Sequence, residues 1–421
     1  MLKRSLAAAA AALLLLSTPQ ASAAPPTPPR TSWAGAWATS PTTVPASDTT
    51  SFEDQTLRQV VHLSVGGDTL RVRLSNEFGT RPLVIGEAHV ARRAGPAAGI
   101  DPRSDRRLTF GGRASVTVPP GAPLLSDPVA LPVAADSDLV VSIHLPRRTR
   151  ADTVHAFPYQ DGYVAAGNVT GHADPTPTAV LGKWHFLTGV AVTGRRAATV
   201  VAFGDSITDG AETTRNANRR WPDVLARRFQ ADRGLRHLGV VNAGISGNRL
   251  LHDPNPPAGH PAEGYANYFG QAALRRFDRD VLAQPGADHV VVLLGVNDLG
   301  HPGTSAPLSE KVSAQDVIDA HRQLIARAHA QGLRVHGGTI TPFKGDSFGF
   351  FSPENEAARQ TVNRWIRTSG EHDGVIDFDR AVRDPRDPER LLAAYDSGDH
   401  LHPNDAGMAA MANAVPLRLF R

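Results

Sequence analysis

The 421-residue chain has no cysteine. That excludes disulfide staples, thiol nucleophiles and cysteine-ligated zinc, and leaves a packed core to hold the protein together. Lysine is almost missing too: only Lys3, Lys183, Lys311 and Lys344 occur, and arginine carries the rest of the positive charge. The formal net charge is +3, and Lys3 and Arg4 account for two of it. Without a large field of one sign, no nucleic-acid partner is expected. Beyond the N-terminus no stretch is apolar enough to cross a bilayer, so no membrane span is expected.

At the N-terminus, Lys3 and Arg4 precede an apolar stretch from Leu6 to Leu16, and Ala21-Ser22-Ala23 offers a small-residue cleavage site. This is the pattern of a secretory signal peptide over residues 1–23, so a secreted protein, cleaved near Ala23, is expected. Residues 24–32 are rich in proline and read as an extended linker. The remaining length suits two domains, and 41% hydrophobic with 20% charged residues is a globular composition.

Residues 33–194 carry the two-residue period of half-buried strands. Val61, Leu63 and Val65 alternate with polar residues, Gly66-Gly67-Asp68 interrupts, and Leu70, Val72 and Leu74 resume. That spacing predicts a hairpin. Leu139, Val141, Ile143 and Leu145 repeat the period. Many short strands with turns between them predict an all-β sandwich or jelly-roll domain.

Residues 195–421 change character. Apolar runs at Thr199–Phe203, Leu238–Asn242, His289–Leu294, Leu333–Thr339 and Val375–Phe378 alternate with helical patterns, such as Val317, Ile318, His321, Leu324, Ile325 and Ala328. Strand–helix alternation implies an α/β domain whose parallel sheet is covered on both faces. Ligands bind such sheets beyond the carboxyl ends of the strands.

The informative turns follow those runs. Val200 to Gly210 ends in Gly204-Asp205-Ser206, which lifts one hydroxyl to the end of the first strand. A serine is a weak nucleophile unless a base takes its proton. Asp399 and His402 stand three residues apart just before a helical pattern, so one turn can hold the carboxylate against Nδ1 and leave Nε2 facing Ser206. An oxyanion then needs preorganised donors. The glycine-rich turn Val241 to Asn248, Asn297 just past the third strand, and the amide of Ser206 itself offer them.

These segments resemble the sequence blocks of the SGNH, or GDSL, hydrolases. Gly204-Asp205-Ser206 is similar to the first block, the segment around Gly247 to the second, Gly295-Val296-Asn297-Asp298 to the third, and Asp399-Leu401-His402-Pro403 to the last. The resemblance covers Ala197 to Arg421. It implies a three-layer, flavodoxin-like α/β fold, Ser206 as nucleophile, His402 as base, Asp399 as its orienter, and an oxyanion hole of Ser206, Gly247 and Asn297. Gly244 competes for the second donor, but the spacing from Asn242 in the family favours Gly247. No cofactor is implied. The expected substrate is a small-molecule or polymer-linked carboxylic ester, with short acyl groups on carbohydrate first. A lysophospholipase or lipase, and a catalytically silent polymer-binding protein, are the alternatives.

Other residues are read more plainly. His400 and His402 with Asp399 form a possible metal cluster, but no third ligand is near and the triad accounts better for Asp399, so no metal is expected. Asp298 is expected to anchor its own loop. His252, Asp253 and His260 read as solvated loop residues, with lining of the substrate cleft as the other reading. Aromatics are only 6% of the chain, so Phe343, Phe348, Phe350 and Phe351 in one loop stand out. Packing against the β domain is expected of them, with an acyl-pocket wall as the other reading. Trp33, Trp37 and Trp184 read as core or interface packing rather than a sugar platform.

Overall fold

The computed structural model describes residues 31–421 apart from Pro96. The signal-peptide segment 1–23 and most of the linker lie outside the described residues. The linker does not extend to residue 32, because the first strand, β1, runs over Thr31–Ala38 and already pairs Thr31 with Arg195. That pairing is made by backbone and needs no side-chain pattern to announce it.

In the N-terminal half, β1, β2 (Gln55–Leu63), β3 (Gly67–Ser75), β4 (Glu87–Arg92), β5 (Val129–Val133), β6 (Ser137–Leu145), β7 (Gly162–Ala166), β8 (Ala179–Leu181) and β9 (Leu187–Arg195) make two antiparallel sheets. One has the order β1-β9-β3-β5, the other β8-β7-β2-β6-β4. Leu57, Val61 and Leu63 from one sheet and Leu70, Val72 and Leu74 from the other meet in a single core. The expected hairpin is therefore wrong: β2 and β3 lie in opposite sheets and do not pair. Alternation reports that one face is buried, not which strand is the neighbour. Gly66 and Gly67 serve close approach instead of a tight turn. A Cβ on Gly66 would lie 2.6 Å from the Val133 carbonyl, and one on Gly67 would lie 2.5 Å from that of Thr193.

The C-terminal half is a parallel sheet of β10 (Ala198–Gly204), β11 (Leu238–Gly244), β12 (Ala287–Leu293), β13 (Arg334–Gly338) and β14 (Gly374–Ile376). Its order is β11-β10-β12-β13-β14, which is the doubly wound, flavodoxin-like arrangement with its switch point beside β10. Helices cover both faces. Val200 and Ala202 pack with α2 (Trp221–Ala231) and α6 (Asp405–Ala414), while Val201 and Phe203 pack with α4 (Ala314–Ala330) and α5 (Pro353–Thr368). Two shorter helices, α1 (Ser206–Asp209) and α3 (Val296–Gly300), follow strand ends directly.

The two halves abut along β1. The Gly35 N–H donates to Thr199 Oγ1 at 2.8 Å, and a Cβ on Gly239 would stand 2.1 Å from the Gly35 carbonyl. The Tyr268 hydroxyl bonds Asp48 across the seam at 2.5 Å, and Lys183, which bonds Asp48 at 2.7 Å within the β half, also reaches Tyr268 at 2.6 Å. Trp37 and Trp184 meet edge to face beside it, and the Trp184 indole N–H donates to Val60. Trp33 lies under the Arg71 guanidinium. These tryptophans pack.

Four histidines are buried in the α/β half. His289 Nδ1 and His336 Nε2 are 2.9 Å apart, and His321 and His372 meet edge to face beside Trp365. Burial pushes His321 and His336 down to about 3, and His289 and His372 to about 4. With folded values below that of a free imidazole, the unfolded chain takes up protons first. The stability is present above about pH 6.5 and is lost as pH falls towards 4. Neither ring nitrogen of His372 has a partner among the described residues. His372→Leu should therefore raise the unfolding free energy by about 2 kcal/mol more at pH 5 than at pH 7. Urea titration at the two pH values checks this, and an equal effect at both would contradict it.

Candidate active site

The site lies where β10, β11 and β12 end. At the end of β10 the chain turns so tightly that a Cβ on Gly204 would meet Thr208 Oγ1 at 2.1 Å. Asp205 caps α1 by accepting the Ile207 N–H at 3.0 Å, which places Ser206 at the first helical position. There its amide has no acceptor inside its own helix. Burial pushes the Asp205 carboxyl up to about 7, against the lowering effect of the Ile207 N–H. Its neutral form is thus preferred in the fold, a contribution to stability that is lost as pH rises through 7.

His402 Nε2 is 2.8 Å from Ser206 Oγ, and His402 Nδ1 is 2.6 Å from Asp399 Oδ2. The other Asp399 oxygen accepts the N–H groups of Leu401 and His402, at 2.9 and 2.8 Å. Burial raises the Asp399 carboxyl, but the hydrogen bonds from His402 and the backbone outweigh it and hold the group far below the usual carboxylate range. Asn404 pins this loop, capping α6 with its side-chain oxygen and donating to the Asp396 carbonyl. His400 turns away to bond Asp396 and does not join Asp399 and His402.

Past β11 the loop Ile245–Asn248 is held from several sides. The Gly244 N–H is taken up by Asn242 Oδ1 at 2.8 Å. The Gly247 N–H has no acceptor among the described residues. Gly247 has φ +77°, and a Cβ there would strike the Phe269 ring at 2.2 Å, so only glycine fits. The Asn297 side-chain N–H₂ donates to the Asn248 carbonyl at 3.0 Å, which leaves its second hydrogen for another acceptor. Asp298 anchors the Gly247 loop rather than its own, accepting the N–H groups of Leu250 and Leu251 at 2.8 and 3.1 Å.

Sequence reasoning missed Arg276. It is fully buried, lies over the Phe203 ring, and donates to the carbonyls of Gly204 and Ala243 at 2.9 and 2.8 Å and to Asn248 Oδ1 at 2.9 Å. One guanidinium thus ties the ends of β10 and β11 to the Gly247 loop. In a chain this rich in arginine, no local signal singles it out.

The phenylalanine loop packs within the α/β half, not against the β domain. Phe343 is in the core, Phe350 packs on His301, and Phe348 is 46% exposed with its ring 5.8 Å from that of His402. The sequence placed four apolar rings together correctly but could not say which surface they meet. A recess of about 10 Å³ lies beside Gly247, lined by Arg249, His252, Phe269 and His301. His252 thus faces this recess. Asp253 instead accepts the Ala272 N–H, and His260 accepts that of Ala262.

Residues 202–410 match the GDSL-like Lipase/Acylhydrolase family. The C-terminal domain belongs to that family. Over 172 residues the chain is 29% identical to the Uncharacterized esterase YxiM of Bacillus subtilis (strain 168), an alignment that covers 39% of this chain and 40% of that protein. The match therefore spans less than half the length of the curated relative. Among solved structures, a catalytic mutant of Axe2, an acetylxylan esterase from Geobacillus stearothermophilus, is 21% identical with a TM-score of 0.39, over 53% of this chain and 93% of that one. LAE5, an alpha/beta hydrolase enzyme from the metagenome of Lake Arreo, Spain, is 20% identical with a TM-score of 0.38, over 53% and 95%.

Proposed function

We propose that this GDSL-family protein is a secreted serine esterase acting on short acyl esters. The observation that carries the reading is the continuous contact from Ser206 through His402 to Asp399. As Ser206 Oγ attacks the ester carbonyl, its proton passes to His402 Nε2, and ionised Asp399 holds Nδ1–H and balances the imidazolium. The carbonyl oxygen becomes an oxyanion facing the amides of Ser206 and Gly247 and the free hydrogen of Asn297. Collapse expels the alcohol, which takes the proton from His402. Water, activated by the same imidazole, then releases the acid from the acyl-serine.

Asn297→Ala removes one donor and should lower kcat by roughly 10²–10³ with KM little changed. An unchanged kcat would assign that role elsewhere.

The short-chain reading is supported by the small recess beside Gly247, walled by Phe269 and His301. A series of p-nitrophenyl esters tests this. kcat/KM should be highest for acetate and fall at least tenfold by octanoate, on the order of a few methylenes' worth of lost fit. A rise with chain length would favour the lipase reading, with exposed Phe348 beside His402 as the apolar contact.

A further inference from the structure

The β domain reaches towards the reaction centre through His155. It lies in the short strand Val154–His155 and is almost completely buried, packed beside the Trp184 ring. Its Nδ1 is 3.0 Å from the Ser40 carbonyl and its Nε2 is 2.9 Å from Asp209 Oδ1. Asp209, equally buried, closes α1 three residues after Ser206. Its other oxygen accepts the Ser246 N–H at 2.9 Å and the Ser246 hydroxyl at 2.7 Å. Ser246 is the residue before Gly247. One carboxylate therefore joins a β-domain imidazole to the loop whose Gly247 amide stands uncommitted.

We infer that His155 is a positioning residue for this esterase: the β domain sets the oxyanion-binding loop through the relay His155–Asp209–Ser246. The inference rests on the esterase reading above. Nε2 of His155 faces the Asp209 carboxyl group and Nδ1 the Ser40 carbonyl, so both ring nitrogens are engaged. Asp209 has both oxygens engaged, one by His155 and the other by the two hydrogen bonds from Ser246. Remove the imidazole, and Asp209 keeps one buried oxygen without a partner. It is then free to shift and to take Ser246 with it. That shift acts on the transition state more than on the bound ester, so the loss falls on kcat.

The experiment measures kcat and KM for p-nitrophenyl acetate, and the melting temperature, for the full-length chain and variants. His155→Ala and Asp209→Asn are each expected to lower kcat by 10- to 100-fold with KM within threefold. The double variant should lose no more than the worse single, because the two act through one contact. Ser246→Ala, which deletes only the hydroxyl, and His155→Gln, which keeps a donor, are expected to lose less. They also serve if His155→Ala does not fold. Lys183→Ala loosens the same domain seam at Asp48 and Tyr268, away from the site, and should keep kcat within twofold. Three results would overturn the inference: wild-type kcat in folded His155 variants, additive losses in the double variant, or an equal loss in Lys183→Ala. Ser206→Ala is run in parallel. If wild type shows no Ser206-dependent turnover, the esterase reading itself fails, and this inference with it.

Discussion

Replacing Ser206 by alanine should leave a folded protein whose kcat for p-nitrophenyl acetate falls on the order of 10⁶-fold, the scale seen when a serine hydrolase loses its nucleophile. The substitution removes one oxygen from a position already held by the Asp205 cap and the Gly204 turn, so the fold has little to lose. What disappears is the hydroxyl bonded to His402 Nε2, the group that would form the acyl-enzyme. A residue of activity above water is expected from the remaining oxyanion donors. Turnover near the wild-type rate would show that Ser206 does no chemistry.

Asp399→Asn should cost kcat about 10⁴-fold with KM almost unchanged. The reason is visible in the hydrogen bonds. Asp399 Oδ1 accepts two backbone N–H groups, so the amide oxygen of asparagine must stay on that side. Its N–H₂ then faces His402 Nδ1 and donates to it, which forces the imidazole proton onto Nε2. That tautomer points a hydrogen at Ser206 Oγ and has no lone pair with which to take the serine's proton. The negative charge that balances an imidazolium is lost at the same time. Steady-state kinetics of the variant, with near-ultraviolet circular dichroism to confirm the fold, check the expectation. A loss below tenfold would mean that Asp399 only braces the loop.

Much of this arrangement is legible in the sequence, and the limits are physical. The α/β half declares itself because buried parallel strands are nearly continuous apolar runs and the helices between them keep their own period. Ser206, Gly247, Asn297, Asp399 and His402 are legible because each sits in a short block where backbone and side-chain demands coincide. The partner of β2 is not, since burial of one face is the same signal in a hairpin and across a sandwich. Nor is the surface met by Phe343 to Phe351, because apolarity says that a ring packs and not on what. Arg276, His155 and Asp209 act through contacts between distant segments, and nothing local marks such residues out. The expectation that Asp298 anchors its own loop fails, because its carboxylate holds the neighbouring block instead.

The most direct test of the central claim is to treat the full-length protein with a fluorophosphonate and to locate the adduct by intact mass and peptide mapping. The account predicts one adduct, on Ser206, formed fast in wild type, slowly in Asn297→Ala and not at all in Ser206→Ala. A protein that stays unlabelled, or that carries the phosphonyl group on another residue while Ser206 is untouched, would contradict it.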